Sequence, residues 1–298
     1  MAKIKTTSES IEVMKTYKLF IGGAFPRTES GRFYPLRNSS DKLIANVCLS
    51  SRKDFRNAVV AARKAQGGWG AKSAYNRSQI IYRIAEMLQQ KKELFVKEMK
   101  ELGYTDKRAQ QEFSASVDYL VHYAGWCDKY VQVFSSVNPV ASSHFNFSVP
   151  EPTGVVAAFA SNKSALLGFL EAFIPAICGG NTTIVLASEE LPTCAITMAE
   201  VLATSDVPGG TVNVLTGNRT ELLDHFASHM DVNAFVIWDA ESADSIAIGQ
   251  YASENVKRIK FYKSEASAVE SPQRIMDLQE IKTTWHPVES ISGAGSGY

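Results

Sequence analysis

The sequence lacks an excess of either charge: 31 lysines and arginines stand against 31 aspartates and glutamates in 298 residues. Without a basic excess or stripe there is no electrostatic footprint for nucleic acid or an anionic membrane, so neither is expected as a partner. Cysteine is scarce. Cys48, Cys127, Cys178 and Cys194 lie too far apart for a CxxC metal or redox pair, and four do not make a disulfide framework in a chain of this size. Reduced thiols in a cytoplasmic protein are the simplest expectation. Long apolar runs are missing too. The segment MAKIKTTSESIEVMKTYKLF has no apolar signal core. The most apolar stretch, Ala165 to Cys178, contains Glu171 and Pro175 and falls short of the ~20 residues that a membrane span needs. It reads as a buried helix. No internal repeat and no phosphate-loop signature is present.

What is present is an ordinary globular composition, 45% hydrophobic, sufficient for one large domain or two small ones. After a strand-like YKLFIGGAF with a Gly22-Gly23 turn, the first half is helical. Ser50 or Ser51 can cap a helix through KDFRNAVVAARKA, with Phe55, Val59 and Ala62 at helical spacing. A second helix is expected from about Ser73 to Leu102, stopped by Gly103, with Ile80, Ile81, Ile84, Leu88 and Phe95 on one stripe. A third covers Asp106 to about Phe134. Alternation and two prolines make HFNFSVPEP an expected edge strand of a hairpin.

From Gly154 the rhythm changes. GVVAAFA, TTIVLA, TVNVLT, NAFVI and VKRIKFY are short β-rich runs separated by four helical stretches. Parallel strands need helical crossovers, so this alternation predicts a doubly wound, Rossmann-like α/β sheet. Ligands of such sheets bind beyond the carboxyl ends of the strands, which directs attention to the turns after Ala160, Ala187, Thr216 and Ile237. The tail adds a short helix, a strand-like IKTTWHPV and a flexible Gly/Ser end, GAGSGY.

In order and spacing, YAGWCDK, EPTGVV, GGNTTIVLASEELP, GGTVNVLTG and the terminal LQEIKTTWHP resemble the NAD-binding half of the aldehyde dehydrogenase superfamily. The resemblance runs from about Tyr17 to Pro287. It implies three parts: residues 1–153 with an N-terminal strand, helices and a flap hairpin; a Rossmann-like core at 154–263; and a helix, oligomerisation strand and tail at 264–298. The flap would combine Ser136 to Pro150 with Ile281 to Val288, and the last strand would cross to a neighbouring subunit, with HFNFSV as a receiving edge.

In that family a cysteine attacks the aldehyde, NAD takes the hydride, and a glutamate activates water. The cysteine belongs to a catalytic domain placed between the last strand of the dinucleotide fold and the terminal segment. Here only eleven residues separate Tyr262 from Arg274, so that domain is absent from this place. The general-base position falls on Tyr262, and a phenol titrating near ~10 cannot serve as a carboxylate does at neutral pH.

The resemblance further implies Asn162 at the vestigial oxyanion position, where a helix cap is an equal alternative. It puts Ala187 at the lysine position and Glu189 at the glutamate position that grip the adenosine ribose. Trp238, Asp239 and Asp244 stand where the family has a phosphate-accommodating turn. Asp239 as a helix N-cap would satisfy the free N–H groups itself, Trp238 would fill space, and both carboxylates would repel a pyrophosphate. No NAD(P), or only weak binding, is therefore expected.

Other candidates have plainer readings. Cys178 is expected to be a packed core thiol rather than a substitute nucleophile. His225 and His229 have the i, i+4 spacing of a metal pair, but lack a third ligand, and read as a solvated helix end. Trp69, Trp126 and Trp285 read as core or interface anchors. The sequence thus points to a non-catalytic aldehyde dehydrogenase-like subunit. It resembles the silent second half of family-sixteen enzymes, acting as a homodimer and with a full-length dehydrogenase. The alternatives are an NAD(P)-dependent oxidoreductase with a changed cofactor pose or a partner-supplied nucleophile, and a nucleotide-sensing module.

Overall fold

The computed structural model describes residues 15–38, 40–265 and 270–288. The strand-like YKLFIGGAF forms only isolated bridges. Phe20 exchanges backbone hydrogen bonds with Val214 (2.9 and 2.7 Å), and the Gly22-Gly23 turn, with both φ values positive, lies against Gly209. An antiparallel hairpin follows, β1 (Phe33–Arg37) and β2 (Leu43–Cys48), which the sequence reading does not anticipate.

Ser51 caps α1 (Arg52–Gly70) through a capping box: its hydroxyl accepts from the Asp54 N–H, and the Asp54 carboxylate accepts from the Ser51 N–H. The long helix expected from Ser73 is broken at Lys91 into α2 (Ala74–Gln90) and α3 (Lys92–Glu101). The apolar stripe crosses the break, with Leu88 and Phe95 both buried, so periodicity alone does not expose it. The next also divides, into α4 (Asp106–Trp126) and α5 (Lys129–Phe134), with a turn at the buried Cys127 and Asp128 between them.

β3 (Ser136–Asn138) and β4 (His144–Pro152) belong to a three-stranded antiparallel flap of order β10-β4-β3. HFNFSVPEP is therefore the central strand, not an edge. The register explains how a central strand carries two prolines. The Thr153 N–H bonds the Leu278 carbonyl (3.3 Å) and the Val288 N–H bonds the Ser143 carbonyl (3.0 Å). By antiparallel alternation, the odd-numbered residues of β4 then face the last strand, while Pro150 and Pro152 turn their nitrogens the other way, past the end of β3.

The core is the expected α/β alternation: β5 (Val155–Phe159), α6 (Leu167–Cys178), β6 (Thr182–Leu186), α7 (Thr193–Ala203), β7 (Val212–Leu215), α8 (Arg219–Ser228), β8 (Ala234–Trp238), α9 (Ser242–Ser253) and β9 (Arg258–Tyr262). All pairs are parallel, in the order β7-β6-β5-β8-β9. β5 to β8 are buried throughout, as strands covered on both faces should be. Alternate β5 residues serve two cores. Val155, Ala157 and Phe159 pack with α1 and α8, whereas Val156 and Ala158 pack with α6 and α7 and the α2 to α4 layer behind them.

After β9 the chain enters α10 (Gln273–Met276) and β10 (Gln279–Pro287). β10 pairs with β4 of its own chain from Gln279↔Pro152 to Pro287↔His144, so the expected crossing of IKTTWHPV onto a neighbour's HFNFSV is corrected to pairing within the chain. The GAGSGY tail lies outside the described residues. Among the described residues no helix is long and apolar enough to cross a membrane.

Candidate functional site

The strand order reverses between β5 and β8, and a ligand of this sheet would lie over their carboxyl ends. Each turn there is tied by the chain's own side chains. The Asn162 side-chain oxygen accepts from the Glu189 N–H (3.1 Å), joining the turns after β5 and β6. It caps no helix, because α6 begins at Leu167 with the Ser164 hydroxyl accepting from the Gly168 N–H (2.7 Å). The Glu189 carboxylate accepts from the Asn218 amide (2.9 Å), and its carbonyl accepts from the Tyr34 hydroxyl (3.2 Å). Ala187 is fully buried and offers no donor from its side chain.

Arg219, the first residue of α8, carries no signal in the sequence, yet it spans the point of reversal. Its guanidinium donates to the Ala160 carbonyl just beyond β5 and to the Trp238 carbonyl at the end of β8 (3.2 Å). Burial pulls this guanidinium below its ordinary pKa, and the Asp239 and Glu189 carboxylates oppose that shift. The Arg219 Nε and Trp238 Nε1 atoms are buried without a hydrogen-bond partner among the described residues.

Asp239 is not the N-cap of α9; Glu241 takes that position. Its left-handed backbone (φ 54°) directs the carboxylate back across the turns instead. There it accepts from the Ser161 hydroxyl (2.7 Å), Lys163 Nζ (3.1 Å), the Ser264 N–H (2.9 Å) and the Ser264 hydroxyl (2.6 Å). Burial alone would raise this carboxyl, but the Ser264, Ser161 and Lys163 donors outweigh it and hold it at about 2. The knot joins the turns after β5, β8 and β9. Asp244 is exposed in the first turn of α9.

A helix N-terminus is a ready anion site, and that of α6 is already served. Glu112 from α4 accepts from the Leu166 N–H (2.8 Å), the Leu167 N–H (3.3 Å) and the Ser164 hydroxyl (2.9 Å). An open groove of about 690 Å³ beside it is lined by Arg108, Glu112, Lys163, Ser164, Glu171 and Ser264 among others.

Tyr262, at the general-base position of the resemblance, donates its hydroxyl to the Asp277 carboxylate (2.6 Å) and packs on Trp238 at 5.2 Å between ring centres. Burial, reinforced by Asp277, pushes the phenol far above its ordinary pKa. Arg274 from the tail lies over both rings and forms a buried ion pair with Glu171 at 3.1 Å. Burial raises the Glu171 carboxyl while Arg274 opposes the shift.

Cys178 is a core thiol. It is fully buried 3.3 Å from the Cys127 sulfur, and burial pushes it well above its ordinary value. His229 accepts from the Asp231 N–H (3.2 Å) and meets the Phe55 ring edge-on. No cluster of metal-ligating groups occurs among the described residues. Trp69 is a core anchor whose Nε1 donates to the Ile177 carbonyl (3.0 Å), Trp126 is half-buried, and Trp285 is exposed.

Residues 26–263 match the aldehyde dehydrogenase family. The Arabidopsis thaliana aldehyde dehydrogenase family 2 member B4, mitochondrial, is 29% identical over 84% of this chain and 47% of its own length. The 2-hydroxymuconic semialdehyde dehydrogenase of Pseudomonas sp. (strain CF600) is 30% identical over 83% of this chain and 52% of its own. In structure, the NAD+ complex of the Bacillus cereus aldehyde dehydrogenase superposes with a TM-score of 0.79 at 23% identity, covering 84% of this chain and 51% of that one. The chain thus spans about half the length of these relatives. With the family match running from the hairpin to just past β9, on a five-stranded parallel sheet of the NAD-binding type, the chain belongs to the aldehyde dehydrogenase family.

Proposed function

We propose that this chain is a non-catalytic member of its family, a structural or regulatory subunit that assembles with itself and with a full-length aldehyde dehydrogenase. The observation that carries the reading is the direct passage from β9 to α10, with Tyr262 at the general-base position bonded to Asp277. No nucleophile-bearing domain is inserted in the sequence at this junction, and the residue at the general-base position is a phenol rather than a carboxylate. The two ends of the junction are instead fastened to each other.

Weak or absent NAD(P) binding is part of the same proposal. A dinucleotide laid over β5 and β8 would have to displace Arg219 from two strand-end carbonyls and pass the Asp239 carboxylate. Each move leaves buried polar groups without partners, at about 1–3 kcal/mol apiece. Asn162 and Glu189 persist at family positions, but their polar atoms are engaged with the neighbouring turns. In this reading residues 1–153 and 264–298 form the helical layer and flap that present the 154–263 core for assembly.

Three measurements on the purified chain test the proposal. With NAD or NADP and a panel of aliphatic and aromatic aldehydes, no turnover is expected, and Cys178→Ala should change nothing. Calorimetry should find no low-micromolar NAD site, and Arg219→Gly with Asp239→Gly should strengthen any residual affinity. A tagged chain should retain a co-expressed full-length aldehyde dehydrogenase. Turnover that disappears in Cys178→Ala, or sub-micromolar NAD affinity in the natural chain, would overturn the reading.

A further inference from the structure

The flap ends in an unpaired edge. β10 is the outer strand of the sheet, and Ile281 and Trp285 on it are 56% and 58% exposed. Its hydrogen-bonding parity follows from the bonds that flank it. The bond from the Thr153 N–H to the Leu278 carbonyl and that from the Val288 N–H to the Ser143 carbonyl place the even-numbered residues of β10 on β4. The N–H and C=O groups of Ile281, Thr283 and Trp285 therefore point outward. At the inner end the odd-numbered carbonyl of Gln279 does point away from β4, where the Arg258 guanidinium takes it. Beyond Gln279, no backbone partner lies against this edge among the described residues.

We propose that this edge pairs antiparallel with the same edge of a second copy of the chain, about a two-fold axis at Thr283. The outward parity and the two-fold together select this register. An antiparallel ladder across this edge must match odd-numbered residues with odd-numbered ones. An axis at Thr283 pairs Thr283 with itself, Ile281 with Trp285 and Trp285 with Ile281, so every outward N–H of the three finds a carbonyl. An axis at Thr284 or Trp285 would set Ile281 or Thr283 against Pro287, which has no N–H, and an axis at Lys282 or Ile281 would run Trp285 or Thr283 into Gln279, whose carbonyl Arg258 already holds.

The side chains agree with this register. Across the axis Ile281 lies opposite Trp285, an aliphatic and an aromatic group on one face. On the other face Glu280 lies opposite His286, and Lys282 opposite Thr284. No like charges oppose one another. The exposed Phe145 and Val137 belong to that second face, beside His286 and in line with Thr284. A second copy is thus the occupant that the edge itself specifies, giving a continuous sheet of order β3-β4-β10-β10-β4-β3. This goes beyond the subunit reading by giving self-assembly a surface and a register, and depends on that reading only for the expectation that the chain self-assembles.

The test uses the full chain in light scattering and in oxidative cross-linking. Thr283→Pro removes an outward N–H without touching a bond to β4, and should halve the mass in solution while leaving the melting temperature within a few degrees. Residues paired in such a ladder have Cα atoms ~5.5 Å apart, within disulfide reach. Thr283→Cys should therefore form a covalent dimer under mild oxidation, whereas Lys282→Cys, opposite Thr284 of the other copy, should not. The four natural cysteines are buried and should not interfere. Unchanged mass in Thr283→Pro, a monomeric natural chain, or a covalent dimer from Lys282→Cys but not from Thr283→Cys would overturn the proposal. Retention of a full-length dehydrogenase is read separately, so loss of one result does not imply loss of the other.

Discussion

Replacing Asp239 by Asn isolates the charge of the knot from its shape. Asn tolerates the left-handed backbone that position 239 requires, so the turn itself is not strained. The carboxylate is held at about 2 by Ser264, Ser161 and Lys163, against ~3.9 for an unfolded aspartate. At 1.36 kcal/mol per unit, this difference amounts to ~2.6 kcal/mol at full strength. Water around Lys163, whose side chain is 65% exposed, screens part of it, leaving about 1.5–2.5 kcal/mol. A carboxyl depressed in the folded state stabilises it above the unfolded pKa, and that contribution fades as pH falls from about 4 to 2. Urea unfolding of the natural chain and Asp239→Asn should accordingly differ by this amount at pH 7, with the gap closing by pH 2. A gap that is independent of pH, or absent at pH 7, would refute the assignment of the knot as an ionic link between three turns.

Two further substitutions probe the scaffold. Arg274→Ala strands the buried Glu171 carboxylate and should cost about 3–5 kcal/mol in urea unfolding at pH 7, whereas the paired change Arg274→Met with Glu171→Leu should recover much of the loss. Gly210 has φ 92°, and a Cβ there would stand 2.6 Å from the Ala61 carbonyl oxygen, so Gly210→Ala should lower stability by about 2–4 kcal/mol in thermal unfolding.

The five parallel strands are legible because each is a short apolar run between turn residues, and burial on both faces leaves no other use for TTIVL or AFVIW. The β1-β2 hairpin is not. It carries Pro35, and its turn uses Asp41 in the left-handed region rather than an Asn-Gly or Asp-Gly pair. HFNFSVPEP reads as an edge because proline normally excludes a central strand, and only the register reveals that both prolines turn away from β10. In the site, Asp239 is legible as a residue but not in its role. Closeness to α9 suggests a cap, whereas a positive φ, invisible in sequence, turns it toward Ser161 and Ser264. Arg219 in the first turn of a helix looks like any solvated arginine. Its importance depends on Ala160 and Trp238, which are distant in sequence and adjacent only in the folded sheet.

The fastening between β9 and α10 has a consequence in polymer terms. Asp277 receives the Tyr262 hydroxyl and pairs with Lys260 at 2.7 Å, while Arg258 reaches the Asp277 carbonyl at 3.3 Å, so the ends of the connection are joined by side chains that do not depend on what runs between them. The entropy of closing a loop grows only with the logarithm of its length, and a tenfold longer connection costs about 2 kcal/mol more. Whole domains can therefore be gained or lost between Lys263 and Ser271 at a thermodynamic cost comparable to that of a single point mutation. At this junction, chain length is close to a neutral variable.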